Sequence, residues 1–111
     1  MILEMRTYTL HPGTMADYFK AYEAEGFDVQ RRILGHFIGS FRTEIGPLNQ
    51  VVHLWAFKDL NDRTERRDRL AGDPQWQRAV SAFIRFFVAQ DSKILLPSSQ
   101  TRLLDALGEP G

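Results

Sequence analysis

The chain has 111 residues, of which 43% are hydrophobic, so it is long enough for one domain with one ordinary core. Fourteen basic residues balance fourteen acidic ones, and this composition gives no reason to expect nucleic acid or an anionic membrane as a partner. The chain contains no cysteine, which excludes disulfides, thiol catalysis and thiolate-bound metals or iron–sulfur clusters.

The first two elements are predicted to be a strand and a helix. Side chains alternate with a period of two over residues 2–10, which is typical of a strand with one face buried. Apolar residues then recur at helical spacing from Thr14, a plausible N-cap, as far as about Arg32. Gly26 costs this helix about 1 kcal/mol relative to alanine, which favours a kink or an early end there.

The middle of the chain predicts an antiparallel hairpin. Its strands cover residues 36–44 and about residues 50–57 or 58, and the turn residues between them are Gly46, Pro47 and Asn49. Strict alternation along the first of these strands places Phe37 and Ser40 on opposite faces.

A charged helix follows the hairpin. The segment over residues 62–70 alternates arginines with acidic residues, and Asp59 or Asn61 can cap its start. Gly72 ends it. The acidic neighbours offset the arginines, so the simplest interpretation is a solvated helix face.

The last helix and strand complete the predicted domain, residues 1–97. Asp73 as the cap with Pro74 at the first helical position is a strong start signal. The apolar stripe of this helix is predicted to comprise Trp76, Val80, Phe83, Ile84, Phe87 and Val88. A short strand over residues 92–96 follows. Residues 98–111 form a C-terminal extension, partly docked or flexible, whose apolar residues are Leu103, Leu104 and Leu107.

This order of elements predicts an α+β fold of the ferredoxin-like βαββαβ type, an antiparallel sheet with helices on one face. The uncovered face of the sheet needs an apolar partner. The economical partner is the same face of a second copy, so we expect a homodimer with two sheets stacked into an α/β barrel.

The hairpin sequence Glu44-Ile45-Gly46-Pro47-Leu48-Asn49, followed by Val51-Val52-His53-Leu54-Trp55, resembles that of the NIPSNAP family. The resemblance continues in Glu4-Met5-Arg6-Thr7-Tyr8, in the arginine-rich helix and in Asp73-Pro74 with Trp76. It implies the dimeric α/β-barrel fold. The family has no agreed enzymatic activity, and its larger members are linked to mitochondria, trafficking and protein recruitment. Related families on this fold include cofactor-free monooxygenases, haem-degrading enzymes and dehydratases.

Polar residues on two neighbouring strands are the candidate site. In a ferredoxin-like sheet the first and third strands pair, so polar side chains on one face of each can meet. We assign tentative catalytic roles to His53 as acid or base, Arg6 as carboxylate partner and Tyr8 as oxyanion donor. The tentative ligand-binding residues are Glu4, Trp55, Phe37 and Phe57.

Structural roles compete with each assignment. Glu4 and Arg6 fit a paired ion network, His53 fits a satisfied buried histidine, and Trp55 and Phe57 fit the core. The histidine spacing predicts no metal site, no cofactor motif is present, and Ser40 has no activating pattern around it.

Two functions remain open from the sequence. The first is a cytoplasmic homodimer that binds a small apolar or aromatic compound, with cofactor-free monooxygenase-like or acid–base chemistry. The alternative is a non-catalytic protein-interaction module that uses the dimer surface and the C-terminal tail. The cytoplasmic expectation comes from the lack of a leader pattern or a membrane-spanning apolar run.

Overall fold

The computed structural model describes residues 1–102, so the predicted apolar residues Leu103, Leu104 and Leu107 lie outside the described part. Its elements are β1 (Ile2–Leu10), α1 (Met15–Glu25), α2 (Phe27–Leu34), β2 (His36–Arg42), β3 (Gln50–Phe57), α3 (Leu60–Ala71), α4 (Pro74–Phe83), a 3₁₀ turn (Ile84–Phe86) and β4 (Phe87–Leu95). Within residues 1–102 no helix combines the length and apolar character that crossing a membrane requires.

The four strands form one antiparallel sheet in the order β2-β3-β1-β4. This order and the helices between the strands confirm the predicted ferredoxin-like α+β fold. The register places Glu4 opposite Trp55 and Arg6 opposite His53. Because residues paired across an antiparallel ladder share a face, the polar side chains of β1 and β3 do lie on the same side of the sheet.

The predicted helix boundaries follow from local chemistry. Gly26 divides the first predicted helix into α1 and α2, as the sequence indicated. Asp59 accepts a hydrogen bond from the Asp62 amide at 2.8 Å and so caps α3. Asp73 accepts one from the Trp76 amide at 3.0 Å and caps α4.

Two clusters of buried side chains form the core between the sheet and the helices. One cluster contains Tyr8, Leu10, Tyr18, Tyr22, Val51, Ala79, Phe83 and Phe86. The other contains Ile2, Leu34, Trp55, Phe57 and Leu70. Trp76 is half-buried and packs against both, so the two clusters are continuous through its indole ring.

The prediction for the end of the domain was wrong about where β4 begins. Helix α4 ends at Phe83, and Phe87 and Val88 belong to β4 rather than to the helical stripe. The strand therefore starts well before Ser92. The cause is β1, whose backbone groups need partners along their whole length and receive them from β4 between Leu3 and Leu10.

The alternation predicted for β2 was also wrong. The register shifts between Phe37 and Gly39, so one extra residue enters the strand there. Phe37 consequently pairs with Trp55 and Ser40 pairs with His53, which places both on the helix-facing side. Residues 43 and 44, predicted as strand, lie beyond its last residue, Arg42.

We predict that Gly26→Val lowers the free energy of unfolding by about 2 kcal/mol or more, through overpacking. A Cβ atom at Gly26 would lie 3.2 Å from ring atoms of both Phe83 and Trp76. Gly72 also has a right-handed helical backbone, but a Cβ atom there would lie 3.7 Å from its nearest neighbour. The matched control Gly72→Val should therefore change stability by under about 0.5 kcal/mol, measured by urea denaturation. Equal losses in the two variants would contradict the packing at Gly26.

Candidate functional site

A buried carboxylate on β1 organises the polar side of the sheet. Glu4 is fully buried and receives hydrogen bonds from four side chains. The donors are Arg63 Nη2 at 2.8 Å, Ser92 Oγ at 2.8 Å, Arg67 Nε at 3.0 Å and Arg6 Nη1 at 3.2 Å. We call these five residues the Glu4 cluster.

The Glu4 cluster joins three elements that are distant in sequence. Arg63 and Arg67 are four residues apart on α3, and this spacing puts both on the face of the helix that is turned towards β1. The interpretation of this arginine-rich segment as a solvated helix face was wrong for these two arginines. The pairing of Glu4 with Arg6, which the sequence suggested as a structural role, is confirmed at 3.2 Å.

The cluster keeps more positive than negative charge. Burial alone would raise the pKa of Glu4, but the hydrogen bonds from Arg63 and Ser92 and the charges of Arg67 and Arg6 lower it to about 2. Glu4 is therefore ionised at neutral pH. Three guanidinium groups nevertheless share this one carboxylate. The Glu4 cluster therefore carries a net positive charge.

Some of the arginine donors in the cluster have no acceptor. Arg67 Nη2 lies 2.9 Å from Glu4 Oε1 but lacks the alignment of a hydrogen bond. In the part of the chain that the structure describes, Arg67 Nη2 and Arg63 Nε are buried without any hydrogen-bond partner. An unsatisfied buried donor costs free energy, which an acceptor from a ligand would recover.

A cavity of about 230 Å³ lies between the sheet and the helices, beside this cluster. Arg6 and Arg67 both line it. The other polar groups on its wall are those of Tyr8, Tyr18, Tyr22, Gln30, His53 and Gln90. The apolar wall includes Leu70, Trp76, Val80, Phe83 and Phe87. Cationic groups, uncharged donors and aromatic rings therefore converge on one small space.

His53 lies at the centre of this side of the sheet and is only 3% exposed. Its Nε2 atom is 2.7 Å from Tyr18 Oη, and its Nδ1 atom is 2.5 Å from Ser40 Oγ. Burial lowers the pKa of His53 to about 4, with further lowering by the charges of Arg6 and Arg67. The imidazole is therefore neutral at physiological pH, so it does not supply an imidazolium acid there.

Three tyrosines line the cavity, Tyr8 from β1 and Tyr18 and Tyr22 from α1. Arg6 Nε donates to Tyr8 Oη at 2.8 Å, and the Tyr8 ring stacks on Phe87 with centroids 4.5 Å apart. Tyr22 Oη donates to the side-chain oxygen of Gln30. Burial raises the pKa of Tyr18 and of Tyr22, so both phenols stay protonated.

The structure brings only some of the candidate residues together. Arg6, Tyr8 and His53, the three assigned to catalysis, line the same cavity. Glu4 does not line it and is bound within the Glu4 cluster instead. Trp55 and Phe57 pack in the core, and the Trp55 indole nitrogen is buried without a hydrogen-bond partner among residues 1–102.

Phe37, the remaining candidate, lines a second depression of about 270 Å³. We call this depression the aromatic groove; its lining consists of Phe19, Tyr22, Glu23, Phe27, Phe37 and Ser40. Tyr22 lines both the aromatic groove and the cavity. The aromatic groove and the cavity are therefore adjacent.

Several residues of the site were not predicted from the sequence. The most important are Tyr18, Tyr22, Gln30, Ser40 and Arg67. Tyr18 and Tyr22 carried a signal, because two tyrosines four residues apart share one helix face and bring hydroxyls to the core. Among residues 1–102 the side chains of His, Asp and Glu come together in no group of three that could hold a metal ion.

The sheet order and the internal cavity define a ferredoxin-like α+β domain with polar residues gathered on one face of its sheet. A family model described as NIPSNAP matches residues 3–101. The chain belongs to the NIPSNAP family.

Curated relatives support this membership. A NipSnap homolog from Dictyostelium discoideum is 32% identical over 96 residues, which cover 86% of this chain and 42% of that protein. NipSnap homolog 2 from Danio rerio is 32% identical over 103 residues, which cover 92% of this chain and 35% of that protein. The chain therefore spans less than half the length of these curated relatives.

Solved structures agree in fold. A NIPSNAP family protein of unknown function from Agrobacterium tumefaciens is 41% identical, has a TM-score of 0.91, and the match covers 93% of each chain. A NIPSNAP-like domain protein from Burkholderia xenovorans is 46% identical with a TM-score of 0.87, covering 90% of this chain and 87% of that one. An antibiotic biosynthesis monooxygenase, at 13% identity and a TM-score of 0.60 over 91% of this chain and all of its own, shares the fold alone.

We predict that Glu4→Gln lowers the free energy of unfolding by about 3 kcal/mol at pH 7, because it leaves three half-buried arginines without their counter-charge. Asp62→Asn, which breaks the half-exposed pair between Asp62 and Arg66 on α3, should cost no more than about 1 kcal/mol. Urea denaturation of both variants measures the difference.

The Glu4→Gln effect should also depend on pH. The folded pKa of about 2 lies below the ordinary value of 4.5, so the stabilisation is complete above pH 4.5 and is lost as the pH falls towards 2. The gap between wild type and Glu4→Gln should narrow in that window. A gap that stays constant down to pH 2 would contradict the cluster.

For His53 we predict ring NMR signals that stay constant from pH 8 to about 5.5 and move only as the pH approaches 4. Between pH 6.5 and about 4, His53 is protonated in the unfolded chain but not in the folded protein. The free energy of unfolding therefore decreases as the pH falls through this window. His53→Gln should lack that part of the decline. A ring titration with a midpoint near 6.5 would show that His53 is not buried as described.

Proposed function

We propose that this NIPSNAP domain binds a small apolar or aromatic carboxylate in the cavity beside the Glu4 cluster. The observation that carries this proposal is the convergence of Arg6 and Arg67 on a cavity whose remaining wall is largely aromatic and aliphatic. An organic anion with a flat apolar body matches both parts of such a wall.

The charge of the site supports an anion over a neutral or cationic ligand. The Glu4 cluster holds three guanidinium groups against one carboxylate, and His53 is neutral, so no second negative group offsets the excess among the described residues of the site. Arg67 Nη2 is a buried donor without a hydrogen-bond partner in the described chain. A guanidinium group binds a carboxylate through charge-assisted hydrogen bonds, which are about twice as strong as neutral ones.

The chemistry proposed for this site is proton transfer to or from the bound compound by the polar groups that line the cavity, among them His53, Tyr8 and Tyr18. A cofactor-free oxygenation would begin with the same step, because removal of a proton generates the electron-rich carbon that reacts with dioxygen. The monooxygenase of similar fold supports only the architecture for such chemistry, since its identity to this chain is 13%.

Binding is tested by isothermal titration calorimetry with matched pairs of probes, benzoate with benzamide and phenylacetate with phenylacetamide. The carboxylate of a pair should bind at least about tenfold more tightly than its amide, because only the carboxylate makes charge-assisted bonds to arginine. Arg6→Gln should reduce this preference, because it removes one of the two arginines that line the cavity. Val80→Phe should abolish binding of both probes by filling the cavity without touching the Glu4 cluster.

Arg69→Gln is the matched control for charge, since Arg69 is exposed on α3 and does not line the cavity. It should leave the affinity unchanged. Circular dichroism of each variant checks the fold. Equal affinity for carboxylate and amide, or a Val80→Phe variant that binds like wild type, would overturn the proposed site.

We also propose that the outer face of the sheet pairs with a second copy of the chain. Met5, Val52 and Leu54 are half-buried on this face, on the side opposite to Glu4 and His53, and Phe41 is 54% exposed there. The helices do not cover this face. A self-complementary apolar face suits a two-fold interface with an identical copy.

Leu54→Asp should convert a dimer to a monomer, because it places a carboxylate at the centre of the proposed interface. Leu60→Asp changes an exposed leucine at the start of α3 and should leave the assembly unchanged. Sedimentation velocity measures both. A monomeric wild type, or a Leu54→Asp variant that stays dimeric, would contradict the stacked-sheet arrangement.

The alternative function as a protein-interaction module stays a prediction. Its proposed C-terminal surface falls largely on residues 103–111, outside the described part of the chain. A capture experiment with and without residues 98–111 bears on it, and the probe titrations above are independent of that segment.

A further inference from the structure

Three hydrogen-bonding side chains connect the aromatic groove with the cavity. Ser40 lines the groove, and its Oγ atom lies 2.5 Å from His53 Nδ1. His53 Nε2 lies 2.7 Å from Tyr18 Oη. His53 and Tyr18 both line the cavity. The sequence of contacts therefore begins in one depression and ends in the other.

Each member comes from a different element, β2, β3 and α1. Ser40 reaches His53 only because the register of β2 shifts between Phe37 and Gly39, which turns Ser40 to the helix-facing side. Tyr18 is 1% exposed and His53 3% exposed, so bulk water does not compete for these bonds. The half-buried Ser40 is the member nearest to solvent.

We propose that Ser40, His53 and Tyr18 form a proton relay between the aromatic groove and the cavity. Its role in turnover rests on the proposed function, because the relay would exchange protons with the compound bound beside Arg6 and Arg67. The relay itself requires no ligand, because water that enters the cavity can give Tyr18 Oη the proton that the compound would give in turnover, so the relay can be tested in the free protein.

The proton movement balances at every atom. In the starting tautomer His53 carries its proton on Nδ1, which donates to Ser40 Oγ, while Tyr18 donates its hydroxyl proton to Nε2. As the ligand gives a proton to Tyr18 Oη, the Tyr18 proton passes to Nε2, the Nδ1 proton passes to Ser40, and the original Ser40 proton passes to water in the groove. The ligand has then lost one proton, water has gained one, and His53 has changed tautomer.

The relay moves protons in concert because its charged intermediates are unfavourable. Burial lowers the pKa of His53 and raises that of Tyr18, so neither imidazolium nor phenolate is stable there. A shift between two neutral tautomers avoids both species. The same geometry with a strongly basic histidine would trap the proton at the ring instead.

The test is the exchange of the Tyr18 hydroxyl proton with water, measured by NMR on protein with ¹³Cζ-labelled tyrosine in mixed H₂O and D₂O. Ser40→Ala removes the link to the groove and should slow Tyr18 exchange at least about tenfold, since Tyr18 must then exchange through an ionised form that burial disfavours. Ser40→Thr keeps a hydroxyl at the same position and should restore the wild-type rate.

Tyr22 is the internal control, because it is similarly buried on α1 but its hydroxyl donates to Gln30 instead of His53. Its exchange rate should be the same in all three proteins. An unchanged Tyr18 rate in Ser40→Ala would overturn the relay, and so would a parallel change at Tyr22, which would indicate opening of the whole helix. His53→Gln, which cannot change tautomer, should slow Tyr18 exchange as Ser40→Ala does.

The relay and the ligand proposal can fail separately. Exchange through Ser40 in the free protein supports the relay whether or not the carboxylate probes bind. Probe binding with Ser40-independent exchange would leave the cavity as a binding site and remove the proton path.

Discussion

The burial of Glu4 is the interaction on which the polar half of this domain depends. An ionised carboxylate at the centre of a sheet is unstable unless cations and donors reach it, and the fold supplies these from α3 and β4. Packing α3 against β1 is therefore an electrostatic requirement as well as an apolar one. The same requirement brings Arg67 to the wall of the cavity.

The excess of arginine over carboxylate links the Glu4 cluster to the proposed binding of a carboxylate. A cluster with equal charges would serve the fold alone, whereas this one leaves buried donors on Arg63 and Arg67 without acceptors in the described chain. Burial keeps His53 neutral by lowering its pKa, and the charges of Arg6 and Arg67 lower that pKa further. The cavity therefore separates two roles, with charge supplied by arginines and uncharged hydrogen bonding supplied by the histidine and the tyrosines.

The sequence predicted the site best where the pairing of strands alone decides which side chains share a face of the sheet. A period of two along β1 and β3, together with the order of a ferredoxin-like sheet, is sufficient to place Arg6, Tyr8 and His53 on one face. Tyr18 was harder to assign because the rotation of α1 over the sheet is set by packing. Ser40 was missed because strict alternation cannot show an inserted residue. Phe87 fitted a helical stripe and a strand equally well, and only the length of β1 decides between them.

The central claim is that Arg6 and Arg67 bind the carboxylate of a ligand in the cavity. Its most direct test is a crystal structure of the protein with phenylacetate. We expect the phenylacetate carboxylate within hydrogen-bonding distance of Arg6 or Arg67, with the ring against Trp76 or Phe83. Phenylacetate bound elsewhere while the cavity is filled by protein side chains would contradict this claim.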